Sequence, residues 1–172
     1  MTHATSPLRM AVAGAGTIGR AHIAVIQQSQ RCVLSAIVDP SASAAAVAAQ
    51  HGVPLYTTLD ALLVQDKPDG IILATPNALH VPQALQCMAA GVPILLEKPI
   101  ATTVQEAQTL VDQVDALDAK VLIGHHRAHS PIMAKAKQVV DSGQLGALVA
   151  VMGSATFFKP DSYFSDRSEE HT

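Results

Sequence analysis

Glu97-Lys98-Pro99 stands at the tip of an apolar run, Val92-Pro93-Ile94-Leu95-Leu96. An acid and a base at the end of what reads as a buried strand are either a solvated ion pair, worth little, or part of a site. Sequence neighbours at a strand end point to opposite faces, which argues against a simple pair. A lysine so placed can polarise a substrate oxygen, or accept its proton where burial and nearby positive charge favour the free amine. Alcohol oxidation needs such a group, because it removes a proton from oxygen as well as a hydride from carbon.

A second motif supplies a destination for the hydride. Gly14-Ala15-Gly16-Thr17-Ile18-Gly19 has the form G-x-G-x-x-G. It follows a predicted strand and opens a helical pattern, the context in which such a loop binds a dinucleotide. Gly14 permits the tight turn, Gly16 lets the backbone approach a pyrophosphate, and Gly19 allows close helix–strand packing. Thr17 and Ile18 begin the helix, whose free N–H groups and positive dipole end suit phosphates. Asp39 lies twenty residues after Gly19, at the end of the second predicted strand. A carboxylate there accepts hydrogen bonds from the adenosine ribose and repels a 2′-phosphate, which favours NAD over NADP. The plainer alternative, a glycine turn and an N-cap aspartate, does not account for strand, loop, helix and spacing together.

These residues need a scaffold that brings strand ends to one rim. Short apolar runs alternate with helical stretches. Strands are predicted at Leu8 to Ala13, Val33 to Val38, around Val53 to Tyr56, Asp69 to Ala74, Pro93 to Leu96 and Val121 to Gly124. Helices are predicted after the glycine loop through Ile23 and Ile26, then over Ser41 to Gln50, Thr58 to Val64, Val81 to Ala90 and Thr103 to Leu117. Alternating strands and helices imply parallel strands with right-handed crossovers, and fully apolar strands suit a sheet covered on both faces. The result is an α/β doubly wound nucleotide-binding domain over residues 1–124. Ligands of such sheets sit beyond the carboxyl ends of the strands. Thr75-Pro76-Asn77-Ala78-Leu79-His80 and Glu97-Lys98-Pro99 both fall on that rim.

After Gly124 the texture changes. His125 to Pro131 reads as a polar loop, Ile132 to Ser142 as a helix stopped by Gly143, and Ala147 to Phe158 as a long strand. Residues 125–166 therefore read as the start of an incomplete second α/β domain. Arg167 to Thr172 resembles one reading frame of a sequencing adapter and reads as a non-native tail. His125, His126 and His129 raise the question of a metal. Pro131 and the loop position argue against a shared helical face, and no carboxylate or thiolate completes the set.

The bulk properties exclude other classes. Hydrophobic residues make up 49% of the 172 residues and charged residues 15%, enough for a buried core. A net charge of −3 and an aromatic share of 3% give no reason to expect nucleic acid or an anionic membrane as partner. No apolar run approaches the ~18 residues of a membrane span, and no secretory signal pattern is present. Cys32 and Cys87 have no metal-type spacing and read as free thiols in a reducing compartment. The expectation is a soluble cytoplasmic protein.

The segments "GAGTIG", "ATPNALH", "LLEKPIATT" and "GHHRAHSP", in this order and spacing, resemble the Gfo/Idh/MocA oxidoreductases over Leu8 to Phe164. The resemblance implies a Rossmann domain followed by an α/β domain with a large open sheet. It further implies NAD(P)-dependent hydride transfer at a hydroxyl carbon of a sugar, cyclitol or related substrate, and homo-oligomers in the full-length form. By position, Lys98 is the lysine expected to contact the reacting oxygen, with Glu97 helping to hold it and lining the cofactor edge. Thr75, Pro76, Asn77 and His80 match the nicotinamide-side loop, and His126 and Arg127 match a loop near cofactor and substrate. The family's further aspartate and histidine in the second domain have no counterpart by position here, which implies an inactive or weakly active fragment. Two other readings compete: a noncatalytic dinucleotide-binding or sensing module, and a methyltransferase using the glycine loop. The "TPN" and "EKP" segments count against the latter.

Overall fold

A computed structural model describes residues 6–154, 156 and 158. The chain falls into two compact units, Met1–Gly124 and His125–Thr172. In the first, six strands lie side by side: β1 (Leu8–Ala13), β2 (Cys32–Val38), β3 (Leu55–Tyr56), β4 (Gly70–Leu73), β5 (Ile94–Leu96) and β6 (Val121–Ile123). Every pairing is parallel and the spatial order is β3-β2-β1-β4-β5-β6. Winding therefore reverses between β1 and β4, which puts the topological switch point where their carboxyl ends meet. The connecting helices are α1 (Thr17–Gln28), α2 (Ala44–His51), α3 (Leu59–Gln65), α4 (His80–Ala89) and α5 (Val104–Leu117).

Strand residues alternate between two buried layers, as the pleat requires. Ala11, Ala13, Ile71 and Leu73 point to the side covered by Leu59 and Leu62 of α3, Ala84, Cys87 and Met88 of α4, and Leu110 of α5. Val12, Ile37 and Ile72 point to the other, against Ile23 and Ile26 of α1 and Ala44, Val47 and Ala48 of α2. The alanine-rich stretch is thus a packing surface, as its small side chains suggest.

Local chemistry sets the element ends. Gly52 closes α2 at φ 64°, a left-handed conformation that favours glycine. Thr58 caps α3 by accepting from the Ala61 N–H at 3.3 Å. Thr103 and Glu106 form a reciprocal capping box at the start of α5. One irregularity escapes the sequence pattern. The β1–β2 register shifts between Met10 and Ala11, so that Met10 pairs with Leu34 while Ala11 pairs with Ala36. Ser35 is the extra residue of this bulge. Its Oγ is buried without a hydrogen-bond partner among the described residues.

The second unit contains a 3₁₀ turn (His126–His129) and helix α6 (Pro131–Asp141), with Gly143 beyond it at φ 74°. The strand expected over Ala147 to Phe158 does not form in the described part of that stretch, residues 147–154, 156 and 158. A strand exists only where a neighbour takes its backbone hydrogen bonds, and the described residues of this unit include no second strand to provide them. The expected tail, Arg167 to Thr172, lies outside the described residues. No described helix is long and apolar enough to cross a membrane.

Candidate functional site: a dinucleotide loop and a lysine rim

The glycine loop leaves β1 at the switch point, and its three glycines have three different surroundings. Gly14 has φ +91°, and a Cβ built there would lie 2.3 Å from the Ala74 carbonyl oxygen at the end of β4. A Cβ on Gly19 would lie 1.8 Å from the Gly14 carbonyl oxygen. Those two glycines let helix and strands approach each other. Around Gly16 a Cβ would meet nothing within 4 Å, so there the missing side chain leaves open space. Gly16 is also the N-cap of α1, with no side-chain cap and no acidic residue in the first turn. Thr17 and Ile18 are exposed beside it. The first N–H groups of α1 are left for an anion. Arg20 adds positive charge: its Nε donates to the Ala15 carbonyl at 2.9 Å.

Asp39 ties this loop to the end of β2. Its Oδ2 accepts from the Ala15 N–H at 2.7 Å and its Oδ1 from the Ser41 N–H at 2.8 Å. Partial burial pushes its pKa up, but hydrogen bonds from the Ser41 side chain and from the Ala15 and Ser41 backbones outweigh that, and the carboxyl is held below its usual 3.8. An ionised carboxylate offers about four acceptor sites, so capacity remains for ribose hydroxyls.

The loops after β4 and β5 form the adjoining rim. The Thr75 hydroxyl donates to Gln83 Oε1 at 2.6 Å. Pro76 is exposed, and Asn77 opens a 3₁₀ turn, Asn77–Leu79, that leads into α4. His80, first residue of α4, is only 1% exposed. Its Nε2 lies 2.9 Å from the Thr75 carbonyl oxygen and its Nδ1 2.7 Å from the Pro99 carbonyl oxygen. The ring is enclosed between the two loops and clamps one to the other through their main chains.

Glu97 and Lys98 do not form the side-chain ion pair of the plain reading. Glu97 Oε1 meets His22 Nε2 of α1 at 2.8 Å, with the side chains 15% and 23% exposed. Its Oε2 accepts the Lys98 backbone N–H at 3.3 Å. Gly124 lies against the same carboxylate, where a Cβ would come within 2.7 Å of Oε1. Lys98 is exposed. Its ammonium makes no hydrogen bond or ion pair among the described residues.

The first unit thus brings together Gly14, Gly16, Thr17, Ile18, Gly19 and Asp39 at one loop, and Thr75, Pro76, Asn77, His80, Glu97 and Lys98 on the rim after β4 and β5. His126 and Arg127 belong to the 3₁₀ turn of the second unit. Among the described residues no cluster of His, Cys, Asp and Glu is arranged to hold a metal. Sequence reasoning missed His22, Arg20 and Gln83. Gln83 could have been found eight residues after Thr75 on the predicted α4. His22 meets its partner only across 75 residues of chain, and no spacing rule reaches that far.

Residues 8–125 match the Gfo/Idh/MocA family, described as an oxidoreductase family with an NAD-binding Rossmann fold, and the chain belongs to that family. It is 30% identical over 143 residues to the rhizopine catabolism protein MocA of Rhizobium meliloti, covering 83% of this chain and 45% of that protein. It is 31% identical over 150 residues to an inositol 2-dehydrogenase of Corynebacterium glutamicum, covering 85% and 44%. Among solved structures, the WlbA dehydrogenase of Bordetella pertussis, in complex with NADH and UDP-GlcNAcA, superposes with a TM-score of 0.77 at 28% identity, covering 81% of this chain and 41% of that one. The chain spans less than half the length of the curated relatives it matches.

Proposed function

We propose that this chain is the cofactor-binding part of an NAD-dependent dehydrogenase that acts on a hydroxyl carbon of a sugar, cyclitol or related polyol. The observation that carries the reading is the pairing of an open glycine loop with an exposed lysine on the same sheet rim. The surroundings of Gly16 fit the group: the space its absent side chain leaves, with the uncapped start of α1, suits a pyrophosphate. Asp39 would accept from the adenosine ribose and disfavour a 2′-phosphate, so NAD is preferred to NADP. Thr75, Pro76 and Asn77 would line the nicotinamide side. When bound, the cofactor supplies the hydride acceptor. Lys98 would polarise the substrate oxygen and assist departure of its proton. For His126 and Arg127 a role near cofactor and substrate rests on the sequence motif alone. The polyol class rests on the relatives, two of which are an inositol dehydrogenase and a rhizopine catabolism protein. Two free thiols, Cys87 buried and Cys32 half-buried, fit a cytoplasmic setting.

Calorimetric titration of the chain with NAD and NADP tests the cofactor reading. NAD is expected to bind more tightly, and Asp39→Ala to narrow the difference. Equal or preferential NADP binding would refute the assignment of Asp39, and no binding of either would refute the cofactor reading. Substrate-dependent appearance of reduced NAD, screened across polyols, separates a dehydrogenase from a noncatalytic dinucleotide-binding module.

A further inference from the structure

We propose that His22 is a positioning residue that holds the Glu97 carboxylate away from the Lys98 ammonium; the importance of that lysine rests on the function proposed above. Lys98 lies in a bend beyond the end of β5, where the alternation of strand side chains no longer separates neighbours. The carboxylate and ammonium of these adjacent residues would therefore pair if both were loose, and the pair would occupy the lysine. Here two contacts hold the carboxylate and a glycine makes room for it. His22 Nε2 contacts Oε1 at 2.8 Å, the Lys98 backbone N–H reaches Oε2 at 3.3 Å, and the bare Cα of Gly124 makes room for the carboxylate. Because a carboxylate is acceptor-only, the His22 contact requires the proton on Nε2. Both side chains are mostly buried, which screens this contact less than a surface pair. Lys98 remains exposed and unpaired among the described residues. His22 lies three residues beyond Gly19, on the helix whose start forms the phosphate-binding loop. One helix therefore carries both the loop for the dinucleotide and the restraint that leaves the lysine available.

Trace acetylation of the folded chain tests this, with the Lys98 rate divided by that of exposed Lys120 and read by peptide mass spectrometry. An ammonium held by a carboxylate yields less of the free amine that acylation needs. His22→Ala is expected to lower the Lys98/Lys120 ratio about 2- to 5-fold, the worth of an exposed ion pair. His22→Gln keeps a donor for Glu97 and should stay close to the unmodified chain. The double variant His22→Ala with Glu97→Gln should return to it, because an amide cannot neutralise the ammonium. A purely structural role for His22 predicts no such rescue. Three results would overturn the proposal: an unchanged ratio in His22→Ala, no recovery in the double variant, or a raised ratio in Glu97→Gln alone, which would mean that Glu97 already holds Lys98. The last measurement stands even if His22→Ala does not fold. A chain that fails to bind NAD sinks the dehydrogenase reading and leaves the acetylation result to be judged separately.

Discussion

Gly16→Ala and Gly19→Ala place the same methyl group three residues apart and are expected to fail in opposite ways. At Gly19 the new Cβ would sit 1.8 Å from the Gly14 carbonyl oxygen, far inside the 3.4 Å at which contact becomes ordinary. The obstructing atoms are backbone, so no rotamer change relieves the clash. Either α1 moves off the sheet or the turn at Gly14 opens, and both disturb the packing of Ile23 and Ile26. Overpacking in a well-filled core costs about 1–3 kcal/mol, and a backbone obstruction belongs at the upper end. With a urea slope of about 2 kcal/mol per M, a loss of about 3 kcal/mol lowers the unfolding midpoint by about 1.5 M. At Gly16 the Cβ meets nothing within 4 Å and the backbone, at φ −72°, accepts alanine. A weaker N-cap and a less flexible unfolded chain each contribute about 0.5–1 kcal/mol in opposite directions, so stability changes little. The space that a pyrophosphate would use is filled, however. NAD affinity is expected to fall by at least about tenfold, equivalent to about 1.4 kcal/mol. Urea unfolding followed by far-UV circular dichroism, with calorimetric NAD titration of each folded variant, reads both effects. The reasoning is refuted if Gly16→Ala costs as much stability as Gly19→Ala, or if it binds NAD as well as the unmodified chain.

Three further outcomes follow from other parts of the fold. Ser35→Ala removes the buried hydroxyl of the β-bulge that has no partner among the described residues; it should stabilise the chain by about 1 kcal/mol, and a lower urea midpoint would show that the hydroxyl is satisfied. Asp39 has its pKa lowered on folding, so the stability it adds is fully present above its unfolded value near 3.8 and is lost as pH falls through the lower folded value. The stability gap to Asp39→Asn should therefore hold steady near neutrality and close only below about pH 3.8; a gap that closes at pH 6 contradicts this. Burial pushes the Cys87 thiol up to about 12, so iodoacetamide at pH 8 should spare it in the folded chain and label it after denaturation.

Local pattern made most of the first unit legible. Apolar runs such as Ile71-Ile72-Leu73, short and closed by the Thr75-Pro76 turn, read as strands buried on both faces, and Gly52 and Thr103 marked helix ends through their own backbone chemistry. The glycine loop and Asp39 were readable because their partners lie within one strand–helix–strand unit. What stayed hidden depends on contacts between distant segments. His22 is one polar residue on an amphipathic helix until the fold brings its ring to Glu97, the residue after β5. His80 matched a loop motif, yet its burial follows from how that loop meets the one after β5. Ser35 sits in an ordinary apolar strand pattern, and only pairing with β1 reveals the extra residue. Ala147 to Phe158 shows the converse: its composition favours a strand, but composition does not supply a neighbour.

The His80 clamp has a consequence for how freely this rim can change. Its two partners are the main-chain oxygens of Thr75 and Pro99, groups that every amino acid carries. The clamp therefore registers the path of each loop and ignores the identity of its side chains. Substitutions at positions 76 and 77 leave both acceptors in place, whereas a one-residue insertion in either loop would carry an acceptor out of reach. Replacement of side chains at these two positions is therefore expected to disturb the placement of Lys98 less than a change in the length of either loop.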